Sequence, residues 1–306
     1  MDAFKHLQAL KTHYANGGNL MQYLRDLDQR TTNTVEDILI SYDFQAGSYV
    51  KGYWENRAQR DQYCGQLAGI LTGLGPVDSL LEAGVGEATT LANVLRQLPQ
   101  RPAQALGFDV SWSRLHYGRA FVKTMNAEPV TLFTGDLFRI PLPDNAVDIV
   151  YTSHSIEPNG GREADALREL YRVARRYVVL LEPAYELASD AARQRMAAHG
   201  YVTNLLSTAR QLGYTIREHR LIEPSQNPLN PTGLLLLEKD ASAAPSGTVS
   251  LACPITGAHL TETPDSFFAE GSLLAYPKIQ GIPCLLARNA ILATHFTLPD
   301  HAGNNL

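Results

Sequence analysis

Hydrophobic positions along the chain follow two rhythms. From residue 1 to about 74 they recur at helical spacing. Leu7, Leu10 and Tyr14 share one face, and Leu20, Tyr23, Leu24 and Leu27 share another. Thr34 stands before Val35-Glu36-Asp37 as a candidate N-cap of a further helix. From 75 to about 240 short apolar runs alternate with amphipathic stretches. The runs predict strands near 78–82, 105–109, 130–134, 147–153 and 177–182, then a hairpin-like pair near 214–222 and 232–238. The segments between them predict helices over 88–98, 112–126, 162–175 and 189–212. Such alternation implies an α/β fold, a mainly parallel sheet with helices on both faces. Ala241 to Gly247 has linker composition, and apolar runs resume from Val249 to Leu286. The chain thus divides into a helical region at 1–74, an α/β region at 75–240, and a linker with a small module at 241–306.

Composition narrows this picture. The hydrophobic content of 44% is enough for a substantial core. Lys and Arg number 26 against 31 Asp and Glu, a formal charge of −5, and no five like charges run together. That balance argues against a nucleic-acid surface, which needs a basic field. Cys64, Cys253 and Cys284 are too few and too scattered for a disulfide framework, so a reducing, cytoplasmic setting is expected. No apolar run approaches the ~20 residues of a membrane span, and Met1 to Lys5 leads into no signal-peptide core.

The most informative stretch is Leu80-Leu81-Glu82-Ala83-Gly84-Val85-Gly86-Glu87-Ala88-Thr89-Thr90. It reads as buried strand, tight turn and helix N-terminus, a junction that lets backbone approach a nucleotide-like ligand. The third glycine of a dinucleotide fingerprint is missing, because Thr89 stands there, and no lysine follows as in a phosphate loop. Glu82 and Glu87 flank the turn and disfavour a diphosphate, so a cationic ligand with a ribose suits it better. Asp109 closes the second strand 23 residues after Gly86, near the spacing at which a carboxylate meets ribose hydroxyls. Gly135-Asp136-Leu137 closes the third strand, and Ile140-Pro141-Leu142-Pro143-Asp144 leads through Asp148 into the fourth.

Together these motifs resemble class I S-adenosylmethionine-dependent methyltransferases. The resemblance implies a Rossmann-like seven-stranded sheet under an N-terminal helical lid, with S-adenosyl-L-methionine as cofactor. It further implies that Glu82, Gly84, Gly86, Asp109, Val110, Asp136, Leu137 and Ser153 form the cofactor site. Asp136 would bond the adenine amino group and Leu137 would pack beside the ring. The aromatic segment from Ser41 to Trp54 resembles the lid that precedes the glycine turn in small-molecule members, so Tyr42, Tyr49 and Tyr53 are candidates to touch cofactor or acceptor. Trp54 and Phe44 are read as packing.

The fourth strand ends Thr152-Ser153-His154-Ser155-Ile156-Glu157-Pro158-Asn159. It lacks the Asn/Asp-Pro-Pro-aromatic signature of nucleobase and glutamine methylation. His154 is the candidate general base, since its ordinary pKa lies near 6.5. Tyr49 is a second catalytic candidate, and Glu157 and Glu182 are candidate acceptor contacts. The run from Cys253-Pro254 to Tyr276-Pro277 and Ile282-Pro283-Cys284 resembles the small zinc-ribbon-like activator of several methyltransferases. Thr256 replaces a metal cysteine of that family, and Cys253, His259 and Cys284 fall short of four ligands, so no zinc is expected. The module is then expected to brace the catalytic region or a homodimer.

Three functions remain open at this point. The first is methylation of an oxygen or nitrogen of a small-molecule acceptor. The second is a tRNA or protein methyltransferase with a fused activator, and the third is a non-catalytic partner that kept the fold.

Overall fold

The computed structural model describes residues 3–223, 227–239 and 247–298. The linker expected at 241–246 and residues 224–226 of the loop before the last central strand lie outside the described residues.

Five helices open the chain: α1 (Leu7–Ala15), α2 (Leu20–Leu27), α3 (Val35–Phe44), α4 (Ser48–Glu55) and α5 (Arg57–Gly73). Leu10, Leu20, Leu24 and Ile40 bury together where α1 to α3 meet, while Tyr23 and Leu27 of the same periodic face stay exposed. Thr34 caps α3 in a full capping box with Asp37, as its sequence suggests.

Then strand and helix alternate: β1 (Ser79–Ala83), α6 (Thr89–Gln97), β2 (Gln104–Asp109), α7 (Trp112–Thr124), β3 (Thr131–Thr134), β4 (Val147–Ser153), α8 (Glu163–Val173) and β5 (Ala174–Pro183). After α9 (Asp190–Ala198) and α10 (Leu205–Gln211), β6 (Thr215–Leu221) and β7 (Thr232–Glu238) close the region. The sheet order is β3-β2-β1-β4-β5-β7-β6, parallel except that β7 runs antiparallel to both neighbours. This is the α/β, Rossmann-like seven-stranded sheet expected from the alternation. Central strands are apolar on both faces, as burial under helices on each side demands.

One helix differs from expectation. The pattern over 189–212 predicts a single helix, yet it breaks between α9 and α10. Gly200 adopts φ +70° and ends α9, and the chain turns to bond Gly160 N–H to the Gly200 carbonyl at 3.1 Å and Val202 N–H to the Glu157 carbonyl at 3.0 Å. The break thus supports the loop after β4.

The C-terminal part holds β8 (Thr261–Glu262), β9 (Ser266–Ala269), β10 (Leu274–Ile279), β11 (Ile282–Pro283) and β12 (Ile291–Leu292), a small antiparallel sheet. It lies against the β3 edge. Cys284 forms a parallel bridge with Thr134, and Leu285 N–H donates to Thr134. Cys253 Sγ lies 3.2 Å from the Tyr276 hydroxyl inside this module. Among the described residues no helix is long and apolar enough to cross a membrane.

Candidate functional site

The carboxyl ends of β1, β2, β3 and β4 meet under the lid helices α3 and α4, the place where open parallel sheets bind ligands. Two open cavities occupy it. The first, about 730 Å³, runs over Gly84 and Asp109 to Asp136, Leu137 and Phe138. The second, about 1050 Å³, lies between α5, the N-terminus of α6 and the β4 and β7 ends, and includes Arg60, Tyr63, Asn230 and Thr232. Tyr42, Tyr49, Ser153 and His154 line both, so the cavities share a wall.

The first cavity gathers most of the residues singled out for a cofactor. Gly84, Asp109, Val110, Asp136, Leu137 and Ser153 line it. Asp109 accepts hydrogen bonds from Gly86 N–H at 3.0 Å and Ser111 N–H at 2.9 Å, which fixes the carboxylate at the strand end with lone pairs to spare. Asp136 accepts from Phe138 N–H at 3.0 Å. Gly84 and Gly86 both have positive φ, +72° and +54°. A Cβ at Gly84 would collide with Ser155, and one at Gly86 with the Arg114 guanidinium. The glycines therefore let this chain's own Ser155 and Arg114 close over the turn.

Several carboxylates singled out from sequence have other employment. Glu82 is 2% exposed and lines neither cavity; it sits beneath the turn, where the Tyr151 hydroxyl donates to it at 2.8 Å. Burial pushes its carboxyl up to about 8, against the Tyr151 hydrogen bond, which works the other way. Its reading as a direct cofactor contact is corrected to one of support for the turn. Glu182, singled out as an acceptor contact, instead accepts from the backbone N–H groups of Ser155, Ile156 and Glu157 at 3.0, 3.1 and 3.0 Å. It holds the loop after β4 and, 2% exposed, lines neither cavity. Tyr53 is only 1% exposed; its hydroxyl donates to Asp61 at 2.8 Å and its ring packs against Trp54 and Phe121, and it stands at the wall of the second cavity with that hydroxyl engaged.

Glu87 reaches up instead of crowding the turn. It accepts from the N–H groups of Gly47, Tyr49 and Val50 at 2.9, 3.3 and 2.7 Å. Gly47 has no side chain to cap α4, and Glu87 caps it from across the site. In return Asp43 of α3 accepts from the Ser111 and Ser113 hydroxyls at 2.6 and 3.0 Å. Lid and sheet are tied in both directions.

At the shared wall His154 has φ +56°, a strained conformation for a residue with a Cβ. Its Nδ1 bonds Glu157, and its Nε2 lies 2.7 Å from the Thr232 hydroxyl. Burial works against the imidazolium, but the Glu157 carboxylate outweighs it and raises His154 above 6.5. For Glu157 burial works upward and is outweighed by His154, which holds the carboxyl below 4.5. Asn230 donates to the other Glu157 oxygen at 3.3 Å, so Glu157 orients the imidazole from the wall of the second cavity. The Tyr63 hydroxyl and Ser153 Oγ are 2.8 Å apart beside it.

Sequence reasoning missed Tyr63, Thr232, Asn230, Arg60 and Arg114. They lie on α5, on or before β7 and on α7; Thr232 and Asn230 are far along the chain from the motifs, whereas Arg114 follows Asp109 by five residues without a pattern that points it at the site. Arg114 is 7% exposed, with the Tyr42 and Tyr49 rings 5.0 and 4.3 Å from its guanidinium carbon.

Residues 80–176, the segment from β1 into β5, match the family profile described as a methyltransferase domain. Among solved structures the chain is similar to magnesium protoporphyrin IX methyltransferase from Synechocystis PCC 6803, crystallised with SAH, with 15% identity, TM-score 0.48, and coverage of 60% of this chain and 84% of that one. It is also similar to a SAM-dependent methyltransferase from Aquifex aeolicus, with 17% identity, TM-score 0.43, and coverage of 56% and 87%. A third is geranyl diphosphate C-methyltransferase from Streptomyces coelicolor A3(2), with 15% identity, TM-score 0.44, and coverage of 56% and 79%. No curated protein sequence matches the chain.

Proposed function

We propose that this chain, with a methyltransferase domain at its centre, is a class I S-adenosylmethionine-dependent enzyme that methylates an oxygen or nitrogen of a small molecule. The observation that carries this reading is the meeting of two cavities at Ser153 and His154, over the strand ends of that domain. The first cavity fits the cofactor. Val110, Leu137 and Phe138 offer apolar faces to a flat base, Asp136 an acceptor for its amino group, and Asp109 an acceptor for ribose hydroxyls. Two buried polar atoms there, Arg114 Nε and Ser155 Oγ, have no hydrogen-bond partner among the described residues, which suits a polar ligand.

When bound, S-adenosylmethionine supplies a methyl group on a positively charged sulfur, open to in-line displacement. The chain's own groups would do the rest. The second cavity would hold the acceptor, with Arg60 the one arginine or lysine on its wall. With Nδ1–H donated to Glu157, His154 keeps Nε2 as its basic position, now facing Thr232. An acceptor hydroxyl or amine replacing the Thr232 contact would pass its proton to Nε2. Where the acceptor is an amine, Asn230 Oδ1, buried and without a partner among the described residues, would accept its second N–H. Tyr42 and Tyr49 would close the wall and exclude water.

We assign the lid to 1–74, the catalytic domain to 75–240, and a metal-free, activator-like brace to 241–306. The free thiols of Cys64, Cys253 and Cys284 support a reducing, cytoplasmic setting. The test has two parts. Calorimetry with S-adenosylhomocysteine should show binding at tens of micromolar or tighter, and no heat at that level would sink the reading. Labelled methyl groups offered with a cell extract should appear in the small-molecule fraction; label in precipitated RNA or protein would favour a macromolecular acceptor instead.

A further inference from the structure

Arg114 is a buried cation that the lid, the sheet and the proposed chemistry leave without a hydrogen-bonding partner. It stands in the first turn of α7, where Ser111 Oγ accepts its backbone N–H at 3.1 Å and fixes the start of the side chain. The guanidinium carries five N–H donors, yet among the described residues none accepts a hydrogen bond from it, and its Nε is fully buried. The nearest carboxylate oxygen, Asp109 Oδ2, is 4.0 Å away, close enough for ionic attraction but beyond hydrogen-bond reach. Its faces are covered by the rings of Tyr42 and Tyr49, which leaves the edge with its paired N–H groups as the part still open to a partner. Gly86 exists as glycine in a turn that brings the guanidinium down over the strand end, because any Cβ there would collide with it.

A buried charge that makes no hydrogen bond and whose counter-ion stands 4.0 Å off is expensive, and an arginine retained in such a place wants a planar group with two oxygens. We propose that Arg114 binds the carboxylate of the cofactor's amino-acid tail, edge-on and bidentate. The inference rests on the cofactor reading above and deepens it. Adenine and ribose carry no anion, and the ammonium and sulfonium groups are repelled by a guanidinium, so the carboxylate is the one group of that ligand Arg114 can take. The same choice sets direction. The carboxylate goes toward α7 and Gly86, and the methyl-bearing sulfur is left to face away, toward the wall at Ser153 and His154. Tyr42 and Tyr49, by stacking on the guanidinium, make lid position and carboxylate binding one coupled event.

The experiment compares two ligands by titration calorimetry: S-adenosylhomocysteine, and its decarboxylated analogue, which keeps adenosine, sulfur and amine. The unchanged protein should bind S-adenosylhomocysteine roughly ten- to hundredfold more tightly than the analogue, the worth of a charge-assisted bidentate contact. In Arg114→Met that gap should close, because affinity for S-adenosylhomocysteine falls while affinity for the analogue holds. Arg114→Lys keeps the charge but loses the fork, and should narrow the gap; it also serves if the methionine variant fails to fold, as read by circular dichroism. A gap that survives both substitutions overturns the proposal. So does an equal loss for both ligands, which would mean that Arg114 merely props Asp109 and the tyrosines. If the unchanged protein binds neither ligand, the cofactor reading itself falls and takes this one with it.

Discussion

Four acidic residues near the glycine turn look alike in the sequence and have four different fates. Asp109 stays beside the first cavity, Glu82 supports the turn from below, Glu87 caps the lid, and Glu182 fixes the loop after β4. What separates them is which backbone N–H groups tertiary folding brings within reach, and local sequence carries no record of that. The same holds for Glu157, whose partner His154 is legible only three residues away, while Asn230 arrives from 73 residues along the chain. The His154–Glu157 pair has a clear pH signature. A histidine raised above 6.5 adds stability that is complete below 6.5 and lost as pH rises through the folded value. A glutamate held below 4.5 adds stability that is complete above 4.5 and lost as pH falls, so the pair stabilises most between these two values. For catalysis the base must be unprotonated, so kcat/KM should climb with pH along a limb lying above 6.5. Glu157→Gln removes the larger of the two carboxylate effects that raise His154, leaving burial and Arg60, which lower it, against Glu182, which raises it. The limb should then move to lower pH and the plateau should drop by roughly tenfold or more, as the imidazole loses its orientation. An unmoved limb would remove His154 from the proton's path.

At the scale of elements, the alternating pattern located every strand of the seven-stranded sheet to within a few residues, because strands buried on both faces are continuous apolar runs. It failed at 189–212, where an isolated glycine within a helical pattern is compatible with either continuation or a C-cap. Gly200 ends α9 because its carbonyl and that of Tyr201 close on Gly160, where any side chain would clash. The lid was legible as helices and aromatics but not as a clamped body. Its attachment depends on Glu87 serving three N–H groups at the start of α4, and on Asp43 holding the serines at the start of α7. Glu87→Ala would leave a helix start without its cap beside a cavity, a loss of about 1–2 kcal/mol. Hydrogen exchange should quicken at residues 47–50 and leave the amides of β4 and β5 unchanged. Equal quickening throughout would indicate global destabilisation instead of a released lid.

At the scale of the whole molecule, the C-terminal module and the sheet share one core. Cys253, Leu260, Phe267, Tyr276 and Leu285 bury in the same cluster as Phe108, Phe133 and Leu137 at the β2–β3 side of the seven-stranded sheet. Polar contacts stitch the boundary: Trp112 Nε1–H donates to the Ile279 carbonyl at 3.2 Å, and Ala252 N–H to the Pro141 carbonyl at 2.9 Å. Arg119, from the same helix as Trp112, donates to the Gln280 carbonyl. The module also covers β3, the strand that leads to Asp136 and would otherwise be a free sheet edge. Its apolar strands were visible in sequence, but the surface they seek was not, since pairing between Thr134 and Cys284 spans half the chain. Ending the chain after Lys239 should therefore do more than remove an appendage. Exposing several large apolar side chains at about 1.5–3 kcal/mol each approaches the 5–15 kcal/mol by which a whole domain is stable. The shortened protein should be poorly soluble, or should melt with low cooperativity and bind S-adenosylhomocysteine weakly, because the proposed adenine end at Asp136 and Leu137 loses its backing. A shortened protein with the full-length melting temperature and affinity would show that the module is an independent passenger, and would reassign the packing at β3 to a contact of no consequence for the site.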